Sequence, residues 1–351
     1  MVLTRRAAKA SKSIVGFLPN EILTSVMLDA SNPDLLALCR TSRLFRNIAT
    51  PLLYRTIYLD ALPQIKLFLR TMKQRSGLSL SRYVRDVSIT DADLDEEFAL
   101  NLSPHLIKAL SSVLSQLCHL EHLDLLLDEE FPELLQNAHF PNLLTFRYNI
   151  QRPHTASLFS SFLNRHQTIT DLTFTRSERL EHLDPILLPN LTIYNGSSAS
   201  IFSVDLWSSS VKQVCLLWYD DEPDVEAPLH RLGKMASPET FFGIFDTLEE
   251  LAILGSVAKN LPRVQSVKLR RSASVAPPIS HQDALEITEH LKKFEALSAL
   301  ELPAIDKRME RDSEEDRKTI ELWGEACKTL SSVILHGKRW RLVGGEWGAS
   351  K

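Results

Sequence analysis

Ten times between Val84 and Leu335 the sequence returns to one short phrase, with apolar residues at positions i, i+3 and i+5. Its central members are Val87, Leu123, Phe146, Leu172, Leu191, Val214, Leu251, Val267, Leu300 and Val333. The last two apolar positions of each phrase alternate with a different residue, which is the period of a strand that buries one face. Helical runs lie between several of the phrases. Ser103-Pro104 leads into Leu106, Ile107, Leu110, Val113, Leu114 and Leu117 with an N-cap residue, a first-turn proline and helical spacing. Ser237-Pro238 leads into Phe241, Phe242, Phe245 and Leu248 in the same manner, so a helix is expected there too. Alternating strands and helices predict an α/β chain with a parallel sheet.

This alternation resembles a leucine-rich-repeat solenoid, whose usual period is about 20 to 29 residues. The resemblance implies that residues 60–340 form one irregular repeat array that binds a target protein. Residues between and just after the apolar positions would then face the open side of the sheet. They are Arg147, Asn149, Thr173, Thr175, Tyr194, Leu217, Lys268, Arg270, Glu301 and His336, the candidate substrate-binding positions. The ladder Asn or Cys of such repeats is missing; Asp128, Gln151, Ser177, Gly196 and Ser256 stand in its place, which marks a divergent array. Leu-Glu-His-Leu-Asp occurs at 120–124 and again at 180–184. Pro185 would fall inside a strand at the second copy and cannot donate to an interior ladder, so that copy is read as a loop or helix end. The alternative is an ordinary two-layer α/β domain.

The segment before the phrases is densely apolar. Of the 43 residues from Phe17 to Leu59, 23 are hydrophobic, more than half, against 44% for the chain. Pro19 suits a first helical position ahead of Ile22, Leu23, Val26, Met27 and Ala30. Asn32-Pro33 breaks that helix, and Asp34 can cap a second carrying Leu35, Leu36 and Leu38. Ser42 can cap a third with Leu44, Phe45, Ile48 and Ala49, which Pro51 ends. Helices below about 12 residues do not hold together alone in water. A unit of roughly 40 residues without metal or disulfide needs a partner surface, from another protein or from the end of the repeat array. The runs Leu18-Pro19-Asn20-Glu21-Ile22-Leu23, Asp34 to Arg46 and Pro51 to Leu59 resemble an F-box, particularly its fungal form, with Phe45 where many members have a tryptophan. That resemblance implies a three-helix F-box over 17–59 docking on the Skp-type adaptor of a cullin-RING ubiquitin ligase. It places Leu18, Pro19, Ile22, Leu23, Leu35 and Leu36 at adaptor-facing positions. The chain would be a non-catalytic substrate receptor. A scaffold that uses the adaptor without ubiquitin transfer, or an enzyme whose site is too dispersed to recognise, are the alternatives.

Composition narrows the partners. With 40 basic and 44 acidic residues and a net charge of −4, nothing global points to nucleic acid or an anionic membrane. Four cysteines, Cys39, Cys118, Cys215 and Cys327, lie far apart without CxxC spacing and read as thiols in a reducing compartment, cytoplasm or nucleus. No apolar run reaches 18 residues. Residues 1–16 carry Arg5, Arg6, Lys9 and Lys12 and no acid; we read them as a disordered basic tail, with a mitochondrial transit peptide as the alternative. Residues 341–351 are expected to be a C-terminal tail, with Trp340 and Trp347 either covering the end of the last repeat or lying loose.

No chemistry-bearing motif stands out. GxSxG, GxGxxG and GxxxxGK[ST] are absent, and no cofactor is implied. Asp91-x-Asp93-x-Asp95 has Glu96 where a calcium loop needs glycine, and Cys118, His119 and His122 have no second ligand pair at zinc-finger spacing. Three acidic groups follow strands, at Asp91–Glu97, at Asp128, Glu129, Glu130 and Glu133, and at Asp220, Asp221, Glu222, Asp224 and Glu226. Parallel strands would set them along one rim that attracts a basic segment.

Overall fold

Eight of the ten apolar phrases stack into a single row of side chains. In a computed structural model of the chain, residues 18–74, 77–90, 102–127, 133–149, 156–175, 185–205, 210–219, 224–246, 250–272, 279–302 and 313–350 are described. Three helices come first: α1 (Asn20–Leu28), α2 (Asn32–Thr41) and α3 (Arg43–Leu53). They are followed by β1 (Thr56–Leu59), α4 (Leu62–Lys73), α5 (Gly77–Ser81), β2 (Asp86–Thr90), α6 (Pro104–Leu114), β3 (His122–Leu126), α7 (Glu133–Gln136) and β4 (Thr145–Asn149). Next come α8 (Ala156–Arg165), β5 (Asp171–Thr175), β6 (Ile186–Leu187), β7 (Ile193–Ser197), a 3₁₀ turn (Ala199–Phe202), β8 (Val204–Asp205), β9 (Gln213–Leu217) and α9 (Glu226–Met235). The rest is β10 (Thr240–Phe245), α10 (Glu250–Asn260), β11 (Ser266–Arg271), α11 (His281–Leu291), β12 (Ala299–Glu301), α12 (Ser313–Ala326), β13 (Ser332–Leu335), β14 (Lys338–Val343) and β15 (Glu346–Ser350).

Thirteen strands form one sheet in chain order, β6 and β8 pairing separately. Pairing is parallel from β1 to β13; β14 and β15 close the sheet as an antiparallel hairpin. Register aligns Val87, Leu123, Phe146, Leu172, Tyr194, Val214, Phe241, Val267, Leu300 and Val333 across ten adjacent strands, and all ten are buried. Because right-handed crossovers advance in one direction, the helices gather on one face. They bury Leu110, Phe162, Leu232, Val257, Ile287 and Trp323 against the row. The other face is left to the alternate strand residues. Ahead of the strands, the N–H groups of Glu121, Leu144, Thr170, Thr192, Lys212, Glu239, Gln265, Ser298 and Ser331 each reach a carbonyl of the preceding unit at 2.7–2.9 Å. Main-chain hydrogen bonds thus continue the parallel pairing ahead of the strands, and Asn190 Nδ2 adds a side-chain bond to the Gln167 carbonyl at 2.9 Å.

Several expectations need correction. Leu191 precedes its strand, and Tyr194 takes the row position; the third place of that phrase is Gly196, which hides the pattern. A Cβ on Gly196 would come within 2.6 Å of Ser200 Oγ and 2.7 Å of Tyr194 Oη, two atoms that hydrogen-bond each other at 2.6 Å. Leu251 lies in α10, since i and i+3 spacing fits a helix as well as the phrase. The Ser237-Pro238 run is strand β10, where Phe241 and Phe245 point inward and Phe242 and Ile244 outward. Aromatic and β-branched residues fit that half-buried surface, and no cap starts a helix there. The second Leu-Glu-His-Leu-Asp copy and residues 1–16 lie outside the described residues. A boundary after residue 340 would cut β14: residues 341–350 complete the terminal hairpin, and Trp340 and Trp347 are buried.

In the first helices, Ser42 caps α3 by accepting from Phe45 N at 3.1 Å. The α2 cap is Ser31 rather than Asp34; Ser31 Oγ accepts from Asp34 N at 3.4 Å, and Asp34 sits in the first turn. Pro51 does not end α3, which runs to Leu53, because a proline this near the C-terminus forfeits one hydrogen bond without blocking the last turn.

One buried group makes the fold acid-sensitive. His166 Nδ1 lies 2.7 Å from the Phe162 carbonyl while Nε2 accepts from the Phe140 N–H at 2.8 Å, which assigns the neutral tautomer with a proton on Nδ1. Burial pushes the imidazole down to about 4. The unfolded chain takes up this proton near pH 6.5 and the folded chain only near 4. The contribution is therefore complete above pH 6.5 and lost between 6.5 and 4, roughly 3 kcal/mol in all. Urea midpoints of wild type and His166→Gln across that range should converge at low pH; parallel curves would refute the assignment.

Candidate functional site

Two surfaces are left without an internal partner among the described residues. The first is on the N-terminal helices. Their own core is small: Leu23, Met27, Leu35, Ile48 and Ala49 are buried in a cluster separate from the sheet's core. Leu18 is 40% exposed, Ile22 50%, Leu36 50% and Val26 69%, and Pro19 is exposed as well. Of the six positions assigned to an adaptor, Leu18, Pro19, Ile22 and Leu36 are therefore accessible. Leu23 at 6% and Leu35 at 4% are not; they hold the three helices to one another, which removes them from any outer contact. The sequence reading missed Val26, Leu28 and Leu44 as exposed positions. Val26 follows Ile22 by four residues and so shares its side of α1. With apolar residues on more than one side of each helix, periodicity alone does not tell inner from outer.

The second surface is the uncovered sheet face. Arg147, Lys268 and Arg270 are exposed on it, and Thr173, Thr175, Leu217 and Glu301 are half-buried. Arg270 donates to Glu301 Oε1 from Nε at 3.1 Å and from Nη2 at 2.8 Å, and its guanidinium stands 5.4 Å above the Phe242 ring. Asn195 Nδ2 donates to Thr173 Oγ1 at 3.0 Å. Three assignments fail. Tyr194 is wholly buried because the register places it in the apolar row. Asn149 is buried at the end of β4, where Nδ2 donates to the Leu127 carbonyl at 3.0 Å. His336 sits in the β13–β14 turn with φ 53°, and its Nδ1 lies 2.9 Å from Asp316 Oδ1, so its ring ties the hairpin to α12.

Reading only the phrase missed the acids on this face. Asp86, His122, Asp124 and Asp171 occupy alternate positions of β2, β3 and β5. His122 Nε2 lies 3.7 Å from Asp86 Oδ1, and Arg147 Nε 3.9 Å from Asp124 Oδ1. Burial raises both Asp124 and Asp171 above the ordinary carboxylate value, opposed chiefly by Arg147. Cys215 is also on this face; burial pushes its thiol up to about 12, which leaves little thiolate for nucleophilic chemistry. Among the described residues no group of three or more His, Cys, Asp or Glu could hold a metal ion. What the face offers is charge, hydrogen bonding and apolar contact.

Most of the acidic rim lies outside the described residues. Two of its members are already engaged. Asp224 Oδ1 accepts from the N–H groups of Glu226 and Ala227, at 3.0 and 3.1 Å. Glu226 accepts from Lys259 Nζ at 2.6 Å and Ser256 Oγ at 2.8 Å, and these bonds, Lys259's first, bring its carboxyl down to about 2. No helix among the described residues is long and apolar enough to cross a membrane.

Residues 15–60 match the F-box-like family, which covers α1 to β1 and brackets the 17–59 segment picked out by its apolar density. F-box domains generally bind Skp-type adaptors. No curated protein matches the chain.

Proposed function

We propose that the chain is the substrate-recognition subunit of an SCF-type cullin-RING ubiquitin ligase, working in cytoplasm or nucleus. The F-box-like domain docks on the Skp-type adaptor through Leu18, Pro19, Ile22 and Leu36, with Val26 beside Ile22. The sheet and its helices act as a divergent leucine-rich-repeat-like solenoid whose open face holds a target protein. Ubiquitin transfer would then use another subunit's chemistry, and this chain contributes proximity. One observation carries the reading: Leu18, Ile22, Val26, Leu28 and Leu36 of an F-box-like unit are 40–69% exposed, outside the unit's own buried cluster. A standard interface of about 800 Å² per partner is within reach of three such helices.

Affinity purification of the full chain and of a form lacking residues 17–59 tests this. Adaptor and cullin should copurify with the first and be lost from the second. Adaptor without cullin would favour the scaffold reading, and adaptor retained by the deletion would refute the docking assignment.

A further inference from the structure

Charge on the open sheet face is sorted by strand. At the β2–β5 end stand Asp86, Asp124 and Asp171 with Arg147 as the countercharge, His122 being engaged with Asp86. At the β11–β14 end stand Lys268, Arg270, Arg339 and Arg341 against Glu301, all four cations exposed, with Glu346 on the adjoining edge strand β15 as a further acid. The last two belong to the same face because Arg339 pairs with Ile334 and Arg341 with Ser332, while Trp340 between them pairs with buried Val333. Between the ends, β7, β9 and β10 present uncharged positions, among them Ile193, Asn195, Cys215, Leu217, Phe242 and Ile244. From β4 to β11 there are five strand spacings, roughly 24 Å at about 4.8 Å each. That distance is the reach of an extended segment of about seven residues.

We infer that this face is a polarised docking track, whose occupant is a polypeptide segment basic where it crosses β3–β5, apolar over β7–β10 and acidic where it meets β11–β14. This rests on the reading above that the face holds the target. The argument is electrostatic complementarity. A segment of one sign would gain at one end and be repelled at the other, whereas a block-charged segment satisfies both ends and covers the uncharged middle. The register of a bound target is thereby set by charge, and its retention by the apolar centre.

The full chain carrying the photo-crosslinker p-benzoylphenylalanine at Phe242 reports directly on the face. Three fluorescent peptides with one apolar centre are offered: basic at one end and acidic at the other, basic at both, and acidic at both. The block-charged peptide should half-saturate crosslinking at least tenfold lower in concentration than either single-sign peptide. The variant Lys268→Glu, Arg339→Glu, Arg341→Glu, altered only at exposed positions, should shift the preference to the all-basic peptide. Equal crosslinking of all three would overturn the polarised track while leaving the face as a docking surface. No crosslinking to any would overturn both. A chain-to-chain crosslink in the absence of peptide would make a second copy the occupant and overturn the inference as well.

Discussion

Ile22→Asp is expected to abolish capture of a Skp-type adaptor by the full chain, with a loss of at least about 100-fold. The carboxylate would be driven into an apolar contact, which costs several kcal/mol unless it is paired. Ile22 is half exposed and outside the five-residue core, so the helices should keep their fold and the thermal transition should not move. Leu23→Asp provides the contrast. It places the charge among Met27, Leu35 and Ile48, and should lose adaptor capture together with the helical signal of the unit. Undiminished capture by Ile22→Asp would remove this face of α1 from the interface.

Phe146→Ala should cost the sheet region about 3–5 kcal/mol. The ring is fully buried as the third member of the apolar row, with Phe162 at 5.0 Å, Tyr148 at 5.8 Å and Phe159 at 5.9 Å between ring centres. A cavity there cannot collapse without shifting α8 against β4, both anchored by the neighbouring units. The chain's five tryptophans all lie beyond residue 59, so denaturation followed by their fluorescence reads this region and not the N-terminal helices. Adaptor capture under native conditions should persist, because the two hydrophobic clusters are separate. A shift below 1 kcal/mol would mean that the row is not the continuous core described.

Eight of the ten phrases predicted their strands, because an alternating apolar pair bounded by turns has few other uses once the chain must bury it. The two failures are instructive. At Leu191 a glycine demanded by the Tyr194–Ser200 contact replaced the third apolar residue, so the apparent phrase slid upstream. At Leu251 the same spacing served a helix, and the true strand lay in a run of phenylalanines whose spacing also suits a helix. The F-box-like unit was legible as three short helices from apolar spacing and the Ser42 cap, whereas Pro19 precedes α1 instead of opening it, Ser31 in place of Asp34 caps α2 and α3 runs past Pro51.

Local chemistry in the chain was enough to establish the three-helix unit, most strands of the parallel sheet and the greasiness of its amino-terminal segment, but not the elements around Ser237–Leu251 or the terminal hairpin. Which leucines of that segment face outward, that Tyr194 and His336 are spent inside the molecule, and that Asp124, Asp171, Lys268 and Arg341 share one face were settled by packing. Those outcomes depend on strand register and on helices meeting residues distant in the chain, and a one-residue slip in register exchanges the two faces of a strand.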